Sequence, residues 1–414
     1  MRTSGIADQY KLEEAQQLLE AGLIEEYTKF AEKQAPGWKT AHTVLACLAV
    51  GHTIRDKVIP YGGNPRIFTL LVAPTRTGKT FSTTLAMRSL LPPDWILNLA
   101  TATPEGLIEI LNNAETVPVL VIDELGKSLA TEYSRLDHFI LRAYNDEEWW
   151  HIVRDKNKRR RVPRERMRVS IVGMSTPKTL IYTSPRQPLF MHAISGLLSR
   201  FIVISGQLTK KPKYLEPDTT FRVAIEIIAN TPLKNRFTID NNAAEEILNT
   251  ADSLVAKYGD LEIAGNAVRG IHEHMAKLAA CHAASRLEDH IEIEDAEFAI
   301  ETIQHNIGIS LGILEDAAEI ADIRTARTRK LALKLIAILN EHGEPLNARY
   351  IYRRLRISAQ ELKNDVLPLA QSLDEKIVEF YDGPKHIICG MHGTDICRSC
   401  RYHDVCARIV RREP

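Results

Sequence analysis

The stretch TLLVAPTRTGKT, from Thr69 to Thr80, decides the fold of this chain. Its first residues are apolar and typical of a buried strand, and they lead directly into a turn of small and polar residues. The turn follows the pattern G-x-x-x-x-G-K-[ST] except at its first position, which holds Ala73 instead of glycine. This order of strand, turn and helix start predicts a loop that surrounds phosphate groups.

A loop of this kind holds phosphates with backbone N–H groups at a helix N-terminus, while its lysine neutralises charge and the following hydroxyl binds Mg²⁺. Gly78, Lys79 and Thr80 fill these positions. The missing glycine mainly provides a tight exit from the strand, and alanine is the smallest replacement that carries a Cβ. We therefore expect the complete loop to bind nucleotide, through Ala73, Pro74, Thr75, Arg76, Thr77, Gly78, Lys79 and Thr80.

A second motif lies further along the chain in VPVLVIDE, where an apolar run ends in Asp123 and Glu124. If this strand lies beside the first one, Asp123 completes the Mg²⁺ site and Glu124 orients the attacking water, as phosphoryl transfer to water requires. The alternative is that GKT forms an ordinary turn and the two acids a solvated strand end. The two motifs occur in order and each follows a predicted strand, which favours the nucleotide site.

The composition is that of a globular protein and excludes disordered and fibrous classes, with 414 residues, 44% hydrophobic and 26% charged. Lys plus Arg and Asp plus Glu both number 53, so the net charge alone indicates neither a nucleic-acid nor a membrane partner. The N-terminus has no apolar signal region, and the longest apolar runs, such as VLACLAV from Val44, are far too short to span a membrane. These features predict a cytoplasmic protein.

The order of segments predicts an α/β protein in which helices flank a parallel sheet. Five apolar runs alternate with helices, namely RIFTLLVA, WILNLA, VPVLVID, RVSIVGM and RFIVIS. Helical periodicity precedes them over residues 11–33 and 39–55, on either side of a Pro-Gly break. It also follows them, in NAAEEILNTADSLVAKYG, AVRGIHEHMAKLAACHAASRL and EIEDAEFAIETIQHNIGISL.

The chain changes pattern again after Arg329, with the helical segments KLALKLIAILNEHG, ARYIYRRLR and AQELKNDVLPLAQSL, the last two opened by Asn347 and Ser358. Two short strands around Asp-Gly-Pro follow, in IVEFYDGPKHIIC. Three helices and a β-wing predict a winged helix-turn-helix, a unit that binds double-stranded DNA or a protein. Pro368 predicts that the candidate recognition helix kinks or ends early.

Basic side chains give this candidate winged helix a possible contact surface for DNA. Arg353, Arg354 and Arg356 lie at the end of its second helix, and Lys363 lies in the candidate recognition helix.

At this point the residues resemble the AAA+ ATPases, and within them the helicase-like branch that contains the minichromosome maintenance helicases. The chain is most similar there to primase-helicase-associated ATPases of phages and other mobile elements, over residues 40–310. RVSIVGMSTPKTL matches the sensor-1 strand, so the resemblance gives Thr176 or Ser175 the role of reading the γ-phosphate. GLLSRF matches the arginine-finger segment and makes Arg200 the finger, while NAVRGIHEHMAKLAA makes Arg269 the sensor-2 residue of a helical lid.

The resemblance divides the chain into a helical region 1–60, an ATPase core 61–235, a helical lid 236–325, a winged helix 326–388 and a metal-binding tail 389–414. An arginine finger acts on the ATP of a neighbouring subunit, so a homo-oligomer is expected, most often a hexameric ring or a spiral.

A strongly basic stretch, EEWWHIVRDKNKRRRVPRERMRVS, separates the second motif from the sensor-1 strand. In helicase-like relatives a hairpin occupies this position and points into the channel of the ring, where positive charge tracks a phosphate backbone. Trp149 and Trp150 either stack on bases or pack in the core. The run favours DNA over a merely solvated loop, and its candidate contacts are Arg154, Lys156, Lys158, Arg159, Arg160 and Arg161, with Arg164, Arg166 and Arg168 beyond them.

Four of the six cysteines crowd into CGMHGTDICRSCRYHDVC with the spacing C-x7-C-x2-C-x5-C: Cys389, Cys397, Cys400 and Cys406. Four thiolates suit either a [4Fe-4S] cluster or Zn²⁺, and His392 or His403 is an alternative zinc ligand. The last half resembles the iron-sulfur loop of endonuclease III-like glycosylases and Cas4-like nucleases, which favours the cluster as a structural staple. Cys47 and Cys281 lie in apolar helical contexts and are interpreted as buried side chains.

The resemblance implies an ATP-dependent DNA motor, a helicase or translocase that uses ATP and Mg²⁺ in replication of a mobile element or an archaeal-type replicon. A primase or polymerase is a further expected partner. One alternative is an AAA+ loader or regulator that assembles on DNA without unwinding it. The other is a DNA-binding regulator with a degenerate ATPase.

Overall fold

The computed structural model describes residues 4–61, 63–99, 104–130, 136–152, 159–181, 196–210, 216–260, 264–374, 376–382, 385–390 and 402. The chain divides into two compact units, Met1–Ala318 and Glu319–Pro414. Among the helices of these described residues, none combines the length and the apolarity needed to cross a membrane.

Nine short strands are present among the described residues of the first unit: β1 (Phe68–Val72), β2 (Ile96–Leu99), β3 (Val119–Ile122), β4 (Trp149–Ile152), β5 (Arg159–Val162), β6 (Ser170–Ser175), β7 (Ile202–Ile204), β8 (Thr238–Ile239) and β9 (His290–Ile291). Five of them form a parallel sheet in the order β2-β3-β6-β1-β7. Every residue of β1, β3 and β6 is buried, as expected for parallel strands covered on both faces. The predicted α/β architecture and all five predicted core strands are confirmed.

The strand order corrects one expectation. The two motifs predicted that β1 and β3 are neighbours, but β6 lies between them and pairs with both. Val72 of β1 is level with Ser175 of β6, and Ile122 of β3 is level with Gly173. Hydrophobic patterning identifies strands but carries no information on which strands are neighbours. The three strands therefore end at one edge of the sheet with β6 in the middle.

The α-helices that begin within the described residues of the first unit, α1 to α13, are Ser4–Ala21, Leu23–Gln34, Lys39–Thr53, Lys79–Leu90, Pro104–Asn113, Leu125–Ala130, Leu136–Tyr144, Pro177–Ile181, Thr220–Asn230, Asn241–Tyr258, Ala264–Val268, Ile271–Ser285 and Ile293–His342. The main hydrophobic core joins α1, α2 and α3 to the sheet, to α9 and to the helices that follow it. Tyr27 packs edge-on against Phe221 in this core, with ring centroids 5.4 Å apart. The predicted N-terminal helical layer is therefore part of the main core.

Glycines break two of the predicted helices. The segment 11–33 is two helices, because Gly22 precedes α2 with a φ of 91°. The segment that begins at Ala267 is divided at Gly270, whose φ is 86°, into α11 and α12. Residues with a side chain rarely adopt such a φ, whereas glycine does so readily. Helical periodicity continues across both positions, so it did not reveal the breaks.

The opposite error occurs in α13. Two predicted helices, ending near Leu311 and beginning near Lys330, are one continuous helix, Ile293–His342. The intervening sequence holds no proline, and the glycine at position 312 costs only about 1 kcal/mol in a helix. The boundary between the two compact units falls within this helix.

The second unit contains α14 (Ala348–Leu355), α15 (Ala359–Glu361), α16 (Leu367–Leu373) and an antiparallel sheet. The sheet consists of β10 (Leu346–Asn347), β11 (Val378–Asp382) and β12 (Lys385–Cys389) in the order β10-β12-β11. The predicted strands around Asp-Gly-Pro are thus observed as β11 and β12, and β10 adds a third strand. Asn347 and Ser358 cap their helices as predicted, by accepting hydrogen bonds from the N–H groups of Arg349 and Glu361. Naming this arrangement a winged helix-turn-helix remains a prediction.

Pro368 has the local effect that the sequence predicted. The helix that begins at Ala359 changes to a π-helical turn at Leu362–Val366. Pro368 follows this turn as the second residue of α16. Lys363 is exposed in this π turn and not in a regular recognition helix.

A tight contact between α3 and the segment before β1 provides a test of the core. A Cβ added to Gly51 would lie 2.4 Å from the Pro65 carbonyl oxygen and 2.9 Å from Cys281 Sγ. Because backbone must move to admit it, Gly51→Ala is expected to lower the free energy of unfolding by about 1–3 kcal/mol, measured by denaturant unfolding.

The matched control is Gly312→Ala in α13, where no atom lies within 4 Å of the added methyl group. This change is expected to raise the free energy of unfolding by about 0.5–1 kcal/mol. Equal stability of Gly51→Ala and the wild type would contradict the packing described here.

Candidate functional site

The candidate phosphate loop joins β1 to α4, which begins at Lys79. Gly78 precedes the helix with a φ of 97°, and a Cβ at this position would lie 2.5 Å from the Leu208 side chain. Both the backbone conformation and the available space therefore require glycine. The loop is fixed from outside through the carbonyl oxygen of Thr77, which accepts hydrogen bonds from Trp38 Nε1 at 2.8 Å and from the Leu208 N–H at 3.1 Å.

Ala73 occupies the position where the motif has glycine. Its side chain is completely buried in the main hydrophobic core, and its N–H donates to the Ser175 carbonyl oxygen. Ala73 is not among the described residues with a positive φ. The backbone here consequently needs no glycine, and the methyl group has a place in the core.

Lys79 is buried, and its Nζ donates to the carbonyl oxygens of Ala73 at 2.5 Å and Pro74 at 2.8 Å. Burial lowers the pKa of Lys79, and the charges of Glu124 and Asp123 oppose that shift. The lysine therefore lies in the electrostatic field of both predicted acids. Thr80, the next residue, is exposed and lines the same cleft as Asp123. A hydroxyl and a carboxylate facing one cleft form a donor set suited to Mg²⁺.

The two acids follow β3 at the sheet edge. Glu124 has a φ of 52°, which is unusual for a residue with a side chain, and its N–H donates to Asp123 Oδ1 at 3.1 Å. Strained conformations of this kind concentrate at functional sites. Glu124 Oε2 accepts a hydrogen bond from Thr179 Oγ1 at 3.3 Å and lies 3.7 Å from Lys127 Nζ. The carboxylate is thus held between a hydroxyl and an ammonium group.

The sensor-1 candidates Ser175 and Thr176 are both buried, at the end of β6 and just after it. The hydroxyl of each lies 2.9 Å from Thr179 Oγ1, which in turn reaches Glu124. Thr176 Oγ1 also accepts a hydrogen bond from the Thr179 N–H at the start of α8. Ser175 and Thr176 therefore belong to one hydroxyl cluster, and both remain candidates for the sensor-1 residue.

Thr179 is the site residue that sequence reasoning missed. Thr176 caps α8 by accepting from the Thr179 N–H, but no local sequence signal marks the Thr179 hydroxyl as a partner of Glu124. The close approach that brings Thr179 to Glu124 depends on Gly126, because a Cβ there would lie 2.5 Å from the Thr179 carbonyl oxygen.

Arg200 and Arg269 lie elsewhere. Arg200 ends a 3₁₀ turn, Leu198–Arg200, just before β7, and Arg269 is exposed in the turn between α11 and α12. The sequence analysis placed Arg269 in a lid helix; the break at Gly270 puts it after α11 instead. Among the described residues, no hydrogen bond or ion pair joins either arginine to Lys79, Asp123 or Glu124.

The basic stretch between β3 and β6 forms the predicted hairpin. β4 and β5 pair antiparallel, with Trp149 opposite Val162 and Trp150 opposite Arg161. Trp149 is buried against Phe139, whereas Trp150 is 46% exposed and carries the Arg161 guanidinium 5.6 Å from its ring centroid. The predicted core packing is confirmed for Trp149, and base stacking by Trp150 stays a prediction. Arg159 and Arg160 belong to β5, and three predicted DNA contacts lie outside the described residues: Arg154, Lys156 and Lys158.

Three arginines after the hairpin are engaged within the domain. Arg164 and Arg168 both donate to Asp146, and Arg166 donates to the Ala114 carbonyl oxygen at 2.7 Å. Arg166 and Arg168 are half-buried in the framework of the domain, whereas Arg164 keeps an exposed side chain beside Asp146.

The cysteine tail falls mostly beyond the described residues, which include Cys389 but not Cys397, Cys400 or Cys406. Cys389 is buried at the end of β12. In the part of the chain that the structure describes, no group of three or more His, Cys, Asp or Glu residues is arranged to hold a metal. Cys47 and Cys281 are buried free thiols, as predicted, and burial raises the pKa of both.

No family model matches this sequence. No curated protein matches it either. Among solved structures, the chain is similar to one described as the crystal structure of a full-length MCM homolog from Methanopyrus kandleri, with 15% sequence identity and a TM-score of 0.45. The match covers 73% of this chain and 62% of the other, so the chain spans less than two thirds of that protein.

The environment of Ala73 predicts the result of restoring the motif. Ala73→Gly removes a buried methyl group and frees the backbone, so it is expected to lower the free energy of unfolding by about 1–2 kcal/mol. Because the backbone already adopts its conformation with alanine, nucleotide affinity is expected to stay within about threefold of the wild type, a change below 1 kcal/mol. Titration with a fluorescent ATP analogue measures the affinity.

The contrasting variant is Gly78→Ala, which places a methyl group against Leu208 and strains the backbone. Its affinity is expected to fall by at least about tenfold. A gain of more than tenfold for Ala73→Gly would contradict the account of this loop.

Proposed function

We propose that this protein is an ATP-hydrolysing DNA motor of the AAA+ type, a helicase or translocase. The observation that carries the proposal is the arrangement at the carboxyl edge of the sheet. Lys79 lies in the electrostatic field of Asp123 and Glu124 there, and a hydroxyl cluster at the end of β6 contacts Glu124. This set contains the charge-neutralising, metal-binding and water-orienting groups that phosphoryl transfer to water uses.

The roles follow from chemistry and position. Lys79, with the N–H groups at the start of α4, would neutralise the phosphates of ATP. Thr80 and Asp123 would hold Mg²⁺, which when bound neutralises charge on the phosphates. Glu124 would orient the attacking water, with its carboxylate positioned by Thr179 and Lys127. Ser175 or Thr176 would respond to the γ-phosphate, and their contact with Thr179 offers a route from that phosphate to Glu124.

Completion of the site requires a second subunit in this proposal. Arg200 makes no contact with its own Lys79, Asp123 or Glu124 among the described residues, which fits an arginine that acts on a neighbour's ATP. Arg269 is exposed and available for the same site or for an adjacent one. A homo-oligomeric ring or spiral would bring these residues together.

The β4–β5 hairpin would provide most of the contacts that bind DNA. Trp150 offers an exposed ring for base stacking, and Arg161 lies beside it with 58% of its side chain exposed. Stacking and phosphate neutralisation together hold single strands without reading sequence. The C-terminal unit, with Lys363 and Arg353 exposed, and a [4Fe-4S] or Zn²⁺ module in the cysteine tail would add further contacts. Action in replication of a mobile element or an archaeal-type replicon, with a primase or polymerase partner, belongs to the same proposal.

Two substitutions separate binding from hydrolysis. Lys79→Ala is expected to abolish ATP binding, because it removes the buried positive charge of the loop. Glu124→Gln keeps the size of the side chain and is expected to retain ATP while hydrolysis falls by about 100-fold or more. Steady-state hydrolysis and filter retention of radiolabelled ATP measure the two effects. Wild-type hydrolysis by Glu124→Gln would overturn the assignment of the water-orienting residue.

The hairpin is tested by Arg161→Ala, with Lys257→Ala as a matched control. Lys257 also lies over an aromatic ring, that of Tyr258, but on α10, away from the hairpin. Arg161→Ala is expected to weaken single-stranded DNA binding and to reduce its salt dependence by about one counterion, whereas Lys257→Ala changes neither. Equal effects of both changes would argue against the hairpin.

The same preparations distinguish the alternatives. Hydrolysis that DNA stimulates, without strand displacement in a fork-unwinding assay, would identify an AAA+ loader or regulator. DNA binding without any hydrolysis would identify a regulator with a degenerate ATPase.

A further inference from the structure

A buried cluster of charged and aromatic residues lies beside Arg200, away from the phosphate loop. Its centre is Tyr144, the last residue of α7, which packs edge-on against Phe68 of β1. The cluster also contains three residues from the first two turns of α12: Glu273, His274 and Lys277. We refer to these four residues as the Tyr144 frame.

Tyr144 is held at both its hydroxyl and its ring. The hydroxyl donates to Glu273 Oε2 at 2.8 Å. The ring lies under Lys277, whose Nζ is 3.9 Å from the ring centroid. Lys277 is almost completely buried, and burial together with the charge of Arg66 lowers the pKa of Lys277 to about 7. A buried ammonium group needs compensation, and here the aromatic ring and Glu273 provide it.

The Tyr144 ring also contacts the guanidinium group of Arg200. The guanidinium carbon of Arg200 lies 5.6 Å from the Tyr144 ring centroid, and its Nη1 donates to the Gly196 carbonyl oxygen at 2.6 Å. Arg200 Nε is buried and has no hydrogen-bond partner among the described residues. Few contacts therefore fix the direction of this side chain, and the aromatic ring is one of them.

The 3₁₀ turn that carries Arg200 is also bound to α12. His274 donates from Nε2 to the Ser199 carbonyl oxygen at 2.9 Å, and burial lowers the pKa of His274 to about 3, so the ring is neutral at physiological pH. Gly270, directly before α12, lies beside the same carbonyl group. The start of α12 thus contacts both the backbone of the turn and, through Tyr144, the side chain of Arg200.

We propose that the Tyr144 frame positions Arg200. This inference rests on the proposed action of Arg200 on a neighbouring subunit. Tyr144, Glu273 and Lys277 are positioning residues, because they act through Arg200.

A mixed-subunit experiment tests the frame. Subunits carrying Glu124→Gln cannot hydrolyse ATP but still provide Arg200, and we call them finger donors. Subunits carrying Arg200→Ala keep an intact ATP site, and we call them site donors. Each is inactive alone, and co-assembled oligomers are expected to regain DNA-stimulated hydrolysis.

Tyr144→Leu is then placed in one subunit type at a time. In the finger donor it is expected to reduce the regained rate by at least about tenfold. This loss is a part of the full rate enhancement that an arginine finger provides. In the site donor it is expected to change the rate by less than about twofold, because the residue through which Tyr144 acts is already absent. Equal losses in both subunit types, or no loss in either, would overturn the proposal, since a purely structural tyrosine would not distinguish them.

Two further variants keep the test decisive if Tyr144→Leu does not fold, as judged by circular dichroism. Lys277→Met keeps the length of the side chain without its charge, and Tyr144→Phe keeps the ring but loses the bond to Glu273. Both are expected to give the same asymmetry with a smaller loss, and symmetric losses would overturn the proposal. Failure of the unmodified finger and site donors to regain activity would instead refute the action of Arg200 on a neighbour, and the frame proposal with it.

Discussion

The parallel pairing of β6 with both β1 and β3 is the constraint on which the rest of the structure depends. It brings the ends of three strands to one edge of the sheet and, with them, Lys79, Ser175 and Asp123. The pairing is fixed by backbone hydrogen bonds and by burial on both faces, so a shift by one residue would expose apolar side chains. The polar groups of the site are therefore positioned by an apolar sheet and not by their own mutual attraction.

Sequence patterns predicted those features of the fold that depend on residues close together in the chain. The strands, the phosphate loop, the β4–β5 hairpin and the capping roles of Asn347 and Ser358 each depend on neighbouring residues. The position of β6 between β1 and β3 was not predictable in this way, because strand order is a property of the whole core. Gly22 and Gly270 broke predicted helices through positive φ values, which leave no trace in hydrophobic periodicity.

The candidate site also contains residues that the sequence predicted and residues that only the folded structure identifies. Lys79, Asp123 and Glu124 were identified from spacing alone, whereas Thr179 required the folded contact between α6 and α8 that Gly126 permits. The basic stretch was interpreted as a single surface, yet Arg166 and Arg168 are half-buried and bonded to the Ala114 carbonyl oxygen and to Asp146. Charge runs reveal potential contacts, and only the fold separates half-buried side chains such as Arg168 from those, such as Arg161 and Arg164, that remain exposed.

We interpret the candidate phosphate loop, the two acids and the hydroxyl cluster as one nucleotide site. The decisive experiment is hydrogen–deuterium exchange of the protein with and without Mg²⁺ and a slowly hydrolysed ATP analogue. If the three form one site, the analogue slows exchange together in three segments, 73–80, 123–127 and 175–180. Protection that is absent, or confined to a segment outside this sheet edge, would contradict it.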